Sequence, residues 1–241
     1  MAKRFIKSSK IDAEITRDGM VYVYEAPVRA WHWINAAAIV GLFLTGYLIG
    51  SPPPALTGEP SAHYLFGWIR FIHFACGQIM AVGILFRLYW SFVGNYFSRE
   101  IIRPPFFSRK FWRGVWLESV SYLKAEHSPR RYIGHNPLAI ISMHVMFMWV
   151  VIFMIITGFA LYGEGEGAGW IHTVFTGPVL LLVGGNSFTI HTLHHFGMWA
   201  MVIFVLMHIY AAVREDILSR EAIITSMISG WRKNRKVTPI D

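Results

Sequence analysis

Residues 190–213 read IHTLHHFGMWAMVIFVLMHIYAAV, and the reading of this stretch decides the fold. It holds no Asp, Glu, Lys or Arg, and it is longer than the roughly 20 apolar residues that carry a helix across a bilayer's hydrocarbon core. Yet it contains His191, His194, His195 and His208. A histidine in hydrocarbon is costly unless it has a partner, so the stretch predicts a membrane span built to hold something. Three further spans are expected at about 31–50, 69–93 and 138–162; the second has Arg70 and Arg87 as its charges and the third has none. Val179–Val183 is too short to cross, ends in Gly184-Gly185, and is expected to lie in a loop near the membrane surface.

The composition agrees. Of 241 residues, 54% are hydrophobic and 15% charged, against about 25% charged in soluble domains. That excludes a disordered chain and argues against an ordinary soluble enzyme. The one cysteine, Cys76, excludes an internal disulfide, a Cys-rich zinc site, an iron–sulfur cluster held by this chain alone and the C-x-x-C-H attachment of a c-type haem.

Charge gives the orientation. Lys and Arg number six in residues 1–30, none in 51–68, eight in 94–135, none in 163–189 and six in 214–241. Under the positive-inside rule both termini and the middle loop face the cytoplasm. The expected architecture is an all-α integral membrane four-helix bundle. Residues 1–30 form a cytoplasmic N-terminal segment, 31–213 the four-span domain and 214–241 a cytoplasmic tail. Basic segments on one membrane face need no nucleic acid to explain them, and none has the interleaved aromatics of a single-strand binder. Residues 1–25 lack the apolar core of a signal peptide. Ile101–Arg113, with Pro104-Pro105, is expected to lie along the cytoplasmic interface as a short amphipathic segment.

With that topology, His32 at the start of span one falls on the inner side, and His73 at the start of span two on the outer side. On span four His194 is outer and His208 inner. His194 and His208 are separated by 14 residues, about 21 Å along a helix and about 40° around it, so they share a face. His195 is turned about 140° away from His208 and is a poor candidate. His191 remains open as the alternative to His194, which is deeper in the span. Two histidine pairs at two depths suit two non-covalent, bis-histidine haem b groups. Arg29 and Arg70 each precede a pair member by three residues, in Arg29-Ala-Trp-His32 and Arg70-Phe-Ile-His73, and are suited to haem propionates. Arg87, 14 residues beyond His73, shares its face near the inner pair. Gly41, Gly46, Gly77, Gly83 and Gly197 offer room for a flat ring or close helix packing. His144, alone at its level, reads as polar glue between helices. His63, His127, His135 and His172 lie in loops or at span edges, where a solvated side chain is the ordinary reading.

Several stretches together carry a family resemblance. They are Tyr24-Glu25-Ala26-Pro27-Val28-Arg29-Ala30-Trp31-His32-Trp33, Gly94-Asn95-Tyr96-Phe97-Ser98-Arg99-Glu100, Gly134-His135-Asn136-Pro137, Ile155-Ile156-Thr157-Gly158-Phe159-Ala160-Leu161-Tyr162, Gly184-Gly185-Asn186-Ser187, and the run from His191 through His208-Ile209-Tyr210 to Arg214-Glu215-Asp216. With these the chain resembles the b-type cytochrome subunit of membrane-bound nickel–iron uptake hydrogenases. The histidines alone also fit the wider family, with the cytochrome subunits of formate dehydrogenases and stand-alone b561-type cytochromes as alternatives. The resemblance implies a multi-pass protein of the bacterial cytoplasmic membrane. Its partners would be the hydrogenase small and large subunits on the periplasmic side, membrane quinone and the lipid bilayer. It would be an electron-transfer subunit with no hydrogen-activating site of its own, passing electrons from the small subunit's iron–sulfur chain through two haems to quinone. A quinone site at the cytoplasmic end would draw on His135, Asn136, Glu215 and Asp216. Asn136 and Pro137 also read as an N-cap and first helical position, and Arg214, Glu215 and Asp216 as a solvated helix end.

Overall fold

The computed structural model describes residues 4–8, 11–15, 20–54, 64–101, 104–124, 132, 135–165, 167 and 169–233. His63, His127 and Gly134, named above, lie outside the described residues. Among the described residues, four helical stretches are long and apolar enough to cross a membrane: α1 (Ala26–Gly50), α2 (Leu65–Val93), Pro137–Glu164 and α7 (Ser187–Ser219). At most 22% of the most apolar window of any of them is buried within the protein. Large side chains such as Val40, Val82, Leu85 and Leu206 remain exposed, as apolar surface does where lipid is the solvent.

The third of these stretches departs from a regular helix. It begins as α4 (Pro137–Ser142), passes through a π-helical turn at Met143–Met148, and continues as α5 (Trp149–Glu164). Asn136 caps it as expected, accepting from the Ala139 amide at 2.7 Å, with Pro137 in the first turn where its missing N–H costs nothing. The amphipathic segment is α3 (Arg109–Leu123), later than the expected 101–113. Pro104-Pro105 cannot donate into a helix, so it starts only after Ser108, which accepts from the Phe111 amide at 3.4 Å. Val179–Val183 is also corrected: α6 (Gly177–Leu182) follows a π-helical turn at His172–Thr176, and only Val183 lies past the helix. Asp216 lies inside α7, which runs to Ser219 and is followed by α8 (Ile223–Ser229).

The all-α expectation omitted a small antiparallel sheet of order β1-β2-β3-β4 (Arg4–Ser8, Ile11–Ile15, Met20–Tyr22, Trp231–Lys233). Met20, Val21 and Tyr22 pair with Lys233, Arg232 and Trp231. Gly230 enters this junction at φ +89°, and its carbonyl accepts from the Val23 and Tyr24 amides at 2.9 and 3.2 Å. A Cβ there would stand 2.6 Å from the Tyr24 carbonyl oxygen, so only glycine fits.

The described contacts gather into two units. The first comprises Met1–His32, Leu85–Val145 and Leu206–Asp241; the second comprises Trp33–Ile84 and Met146–Val205. In the first, Val21, Val23, Tyr24 and Phe97 form a core, and the buried pair Arg232–Glu221 closes at 3.2 Å. In the second, Ala38, Met80, Val151, Met201 and Phe204 bring all four spans to one core.

Candidate functional site

Each unit holds one histidine pair. In the first, His32 on α1 faces His208 on α7, ring centroids 6.3 Å apart and planes at 51°. In the second, His73 on α2 faces His194 on α7, at 6.4 Å and 71°. α7 thus supplies one histidine to each pair. A metal ion gripped from opposite sides by two imidazole nitrogens at about 2.0–2.1 Å leaves the ring centroids roughly 6 Å apart. Among the described residues no group of three or more His, Cys, Asp or Glu gathers to hold a bare metal ion. Two opposed imidazoles without a third protein ligand are the donor set of a haem iron, whose other positions the macrocycle fills. The residues present fit that group.

The surroundings differ between the pairs. Beside His32, Arg87 is buried on α2, donates to the Ser98 carbonyl at 3.1 Å and lies 5.7 Å over the Trp31 ring. Arg29 donates to the Ile228 carbonyl through one terminal nitrogen, while its Nε is buried with no partner among the described residues. In the second unit, Thr45 and Thr157 stand against the ring nitrogens of His73 and His194. Arg70 is exposed one turn before His73, with its guanidinium 5.7 Å over the Phe74 ring.

The open choice on span four has a geometric answer for position. His194 lies opposite His73, whereas His191 is exposed and its Nδ1 lies 3.1 Å from the Ser187 carbonyl of its own helix. Seventeen residues turn His191 about 100° away from His208, which is why it leaves the shared face. His195 is exposed and accepts from the Trp199 indole at 3.1 Å. His144 does not bridge helices through Nδ1, which bonds the Ile140 carbonyl of its own helix at 2.8 Å, while its ring meets Phe106. Of the glycines, Gly46 backs the His73 ring and Gly77 is open, while Gly41, Gly83 and Gly197 face Cys76, Asn35 and Met154.

The polar residues expected near the inner end have local roles. The Tyr24 hydroxyl and His135 Nε2 are 3.3 Å apart. Asn136 is engaged as the cap described above. Asp216 accepts from the amides of Ile223 and Ile224, at 2.5 and 3.3 Å, and so caps α8. Glu215 is half-buried near Tyr122; burial pushes the Tyr122 phenol up, and the Glu215 charge adds to this. Arg214 stacks 4.3 Å over the Tyr122 ring. Sequence reasoning missed Glu25. One of its carboxylate oxygens accepts from the Trp90 indole at 2.9 Å, the Asn95 amide at 2.8 Å and the Ser98 hydroxyl at 3.1 Å, tying the start of α1 to the end of α2. Glu25 stands, with Asn95 and Ser98, in the stretches that carry the resemblance, but neither spacing nor hydropathy shows that they meet.

A family model described as prokaryotic cytochrome b561 matches residues 23–230. A protein of Rhizobium leguminosarum bv. viciae is 54% identical over 214 residues, covering 88% of each chain. One of Azotobacter vinelandii is 47% identical over 220 residues, covering 91% of each. Both are named probable Ni/Fe-hydrogenase B-type cytochrome subunits. A third, the probable Ni/Fe-hydrogenase 1 B-type cytochrome subunit of Escherichia coli K12, is 43% identical over 215 residues, covering 89% of this chain and 91% of its own.

Proposed function

The chain belongs to the prokaryotic cytochrome b561 family, and from that premise we propose that it is a dihaem b-type cytochrome of the bacterial cytoplasmic membrane. It carries electrons from the iron–sulfur small subunit of a periplasm-facing nickel–iron hydrogenase to membrane quinone, and it anchors that hydrogenase. The observation that carries this reading is the two histidine pairs, whose ring centroids lie 6.3 and 6.4 Å apart, a separation that would admit an iron between the rings. The hydrogenase names of the relatives supply the partner.

Haem iron bound by each pair supplies one-electron transfer. The chain's own residues bind and orient. His32 and His208 would hold one haem, and His73 and His194 the other. Arg29, Arg87 and Arg70 would pair with the propionates, and the Nε of Arg29, buried with no partner among the described residues, supports this for the first. The charge pattern supports a cytoplasmic placement for residues 1–30 and 214–241, and a membrane domain over 31–213. Asn136 and Asp216 are occupied as caps, so His135, held by Tyr24, and Glu215 are the better quinone candidates of the four.

The test is made on the intact hydrogenase complex. Its pyridine haemochrome content should correspond to two haem b per cytochrome chain; a ratio of one in a fully loaded sample overturns the dihaem reading. Replacing His32 or His208 by Ala should remove one haem and abolish quinone reduction. Hydrogen oxidation with an artificial acceptor at the hydrogenase should survive. Quinone reduction that persisted in either variant would reject the assigned pair.

A further inference from the structure

The second unit contains a repeated dipeptide that the reading above does not use. α1 carries Leu44-Thr45-Gly46-Tyr47 and α5 carries Ile156-Thr157-Gly158-Phe159. Each Thr-Gly pair meets a histidine of another helix, and His73 also has a hydrogen bond with the Leu42 backbone. Thr45 Oγ1 is 2.9 Å from His73 Nδ1, and Thr157 Oγ1 is 2.8 Å from His194 Nδ1. Both threonines are buried, at 7% and 4% exposure. The glycines repeat the match: a Cβ at Gly46 would stand 3.2 Å from His73 Cε1, and one at Gly158 3.2 Å from His194 Cε1.

The direction of the hydrogen bonds follows from counting protons. Thr45 Oγ1 lies 2.6 Å from the Gly41 carbonyl oxygen, and Thr157 Oγ1 lies 2.8 Å from that of Phe153. A carbonyl cannot donate, and a hydroxyl has one proton, so each threonine donates back along its own helix. Its oxygen then accepts, and the proton between threonine and histidine belongs to Nδ1. A neutral imidazole protonated at Nδ1 carries its free lone pair on Nε2, the atom left to bind a metal. Back-bonding threonines gain a helix nothing and tend to bend it, so their repetition opposite the paired histidines calls for another cause.

We propose that Thr45-Gly46 and Thr157-Gly158 are twin positioning elements for one haem. Each threonine fixes its histidine as the Nδ1–H tautomer and strengthens Nε2 as a donor, and each glycine sets the plane of the ring. This rests on the dihaem reading. A hydrogen bond from Nδ1–H raises the basicity of the ligating nitrogen, which favours the oxidised iron and lowers the potential of the haem shared by His73 and His194.

The experiment is an optical redox titration of the intact complex, with low-temperature EPR of the oxidised haems. Thr45→Val and Thr157→Val should each keep two haems per chain and shift one midpoint upward, the same haem in both variants. The double variant should shift it further, and the other haem serves as the internal reference. Thr→Ser at either position should restore the wild-type midpoint. Gly46→Ala and Gly158→Ala should move the low-spin EPR signal of that same haem by turning its ligand planes. Unchanged midpoints and spectra in fully loaded Val variants overturn the proposal, as does a shift of different haems by the two threonines. If the Val variants do not assemble, Thr→Ala removes each hydroxyl without added bulk and is judged by the same outcomes. A wild-type complex with fewer than two haems per chain would fail the dihaem reading itself. Two haems in the wild type with unshifted variants fail only this inference.

Discussion

Arg70 and Asp216 show what a single residue's surroundings decide. Arg70 stands one turn from His73, exposed, over the Phe74 ring, whose other neighbours include His73 and Tyr162. Its charge favours a reduced haem nearby. Arg70→Leu should therefore lower the midpoint of the His73/His194 haem and leave the other unchanged, as read by potentiometric titration. If neither midpoint moves, the side chain only sets the depth of α2 at the membrane edge. Asp216 is tested by two substitutions. Asp216→Ala removes the acceptor at the start of α8 and should cost about 1 kcal/mol, the usual scale for a lost cap, seen as a lower thermal unfolding midpoint. Asp216→Asn keeps an acceptor oxygen and should unfold near the wild-type temperature. Loss of quinone reduction in Asp216→Asn would assign the carboxylate a protonic role instead. The paired histidines were legible because a costly residue type recurs at helical spacing inside apolar runs. Asp216 was not, because its amide partners belong to the next helix, across a turn with Arg220 and Ala222 at positive φ.

At the scale of elements, the apolar runs located the four long helical stretches, because a run long enough for hydrocarbon is also long enough to be seen in the sequence. Several helices run beyond the expected apolar runs: α2 begins at Leu65 and α7 continues to Ser219. α1 starts at Ala26 rather than near 31, directly after Glu25, which accepts from donors at the α2 terminus. Glu25→Ala would strand the Trp90 indole, the Asn95 amide and the Ser98 hydroxyl. At about 1–3 kcal/mol per stranded buried donor, and with these groups partly buried, a loss of about 2–3 kcal/mol is expected. Glu25→Gln should lose less, since it retains an acceptor oxygen. Chemical denaturation followed by tryptophan fluorescence separates the two. The π-helical turns escaped sequence reading because hydropathy does not distinguish an i+4 from an i+5 backbone ladder. β4 escaped because three residues, Trp231–Lys233, carry no periodic signal.

For the whole molecule, the histidine pairs divide between the two contact units as the chain itself divides. The second unit takes its pair from two continuous stretches, 33–84 and 146–205. The first takes its pair from near the two ends of the chain, with the 85–145 segment between them. Gly230→Ala strains the closing junction at φ +89°. It should cost more than about 1 kcal/mol and lower retention of the His32/His208 haem more than that of the His73/His194 haem, as read by haem content after mild heating. The reverse order of loss would show that the junction does not support the first pair.

The pairing of Val21 with Arg232 also bears on biosynthesis. β3 leaves the ribosome long before its partner β4, since the four long helices lie between them in the chain. The junction between β3 and β4 therefore closes only once the segment carrying Trp231–Lys233 has been made. A nascent chain stalled anywhere before Trp231 has an unpaired β3 edge, and a tag fused directly behind Lys233 is attached to a strand of the sheet rather than to a free tail.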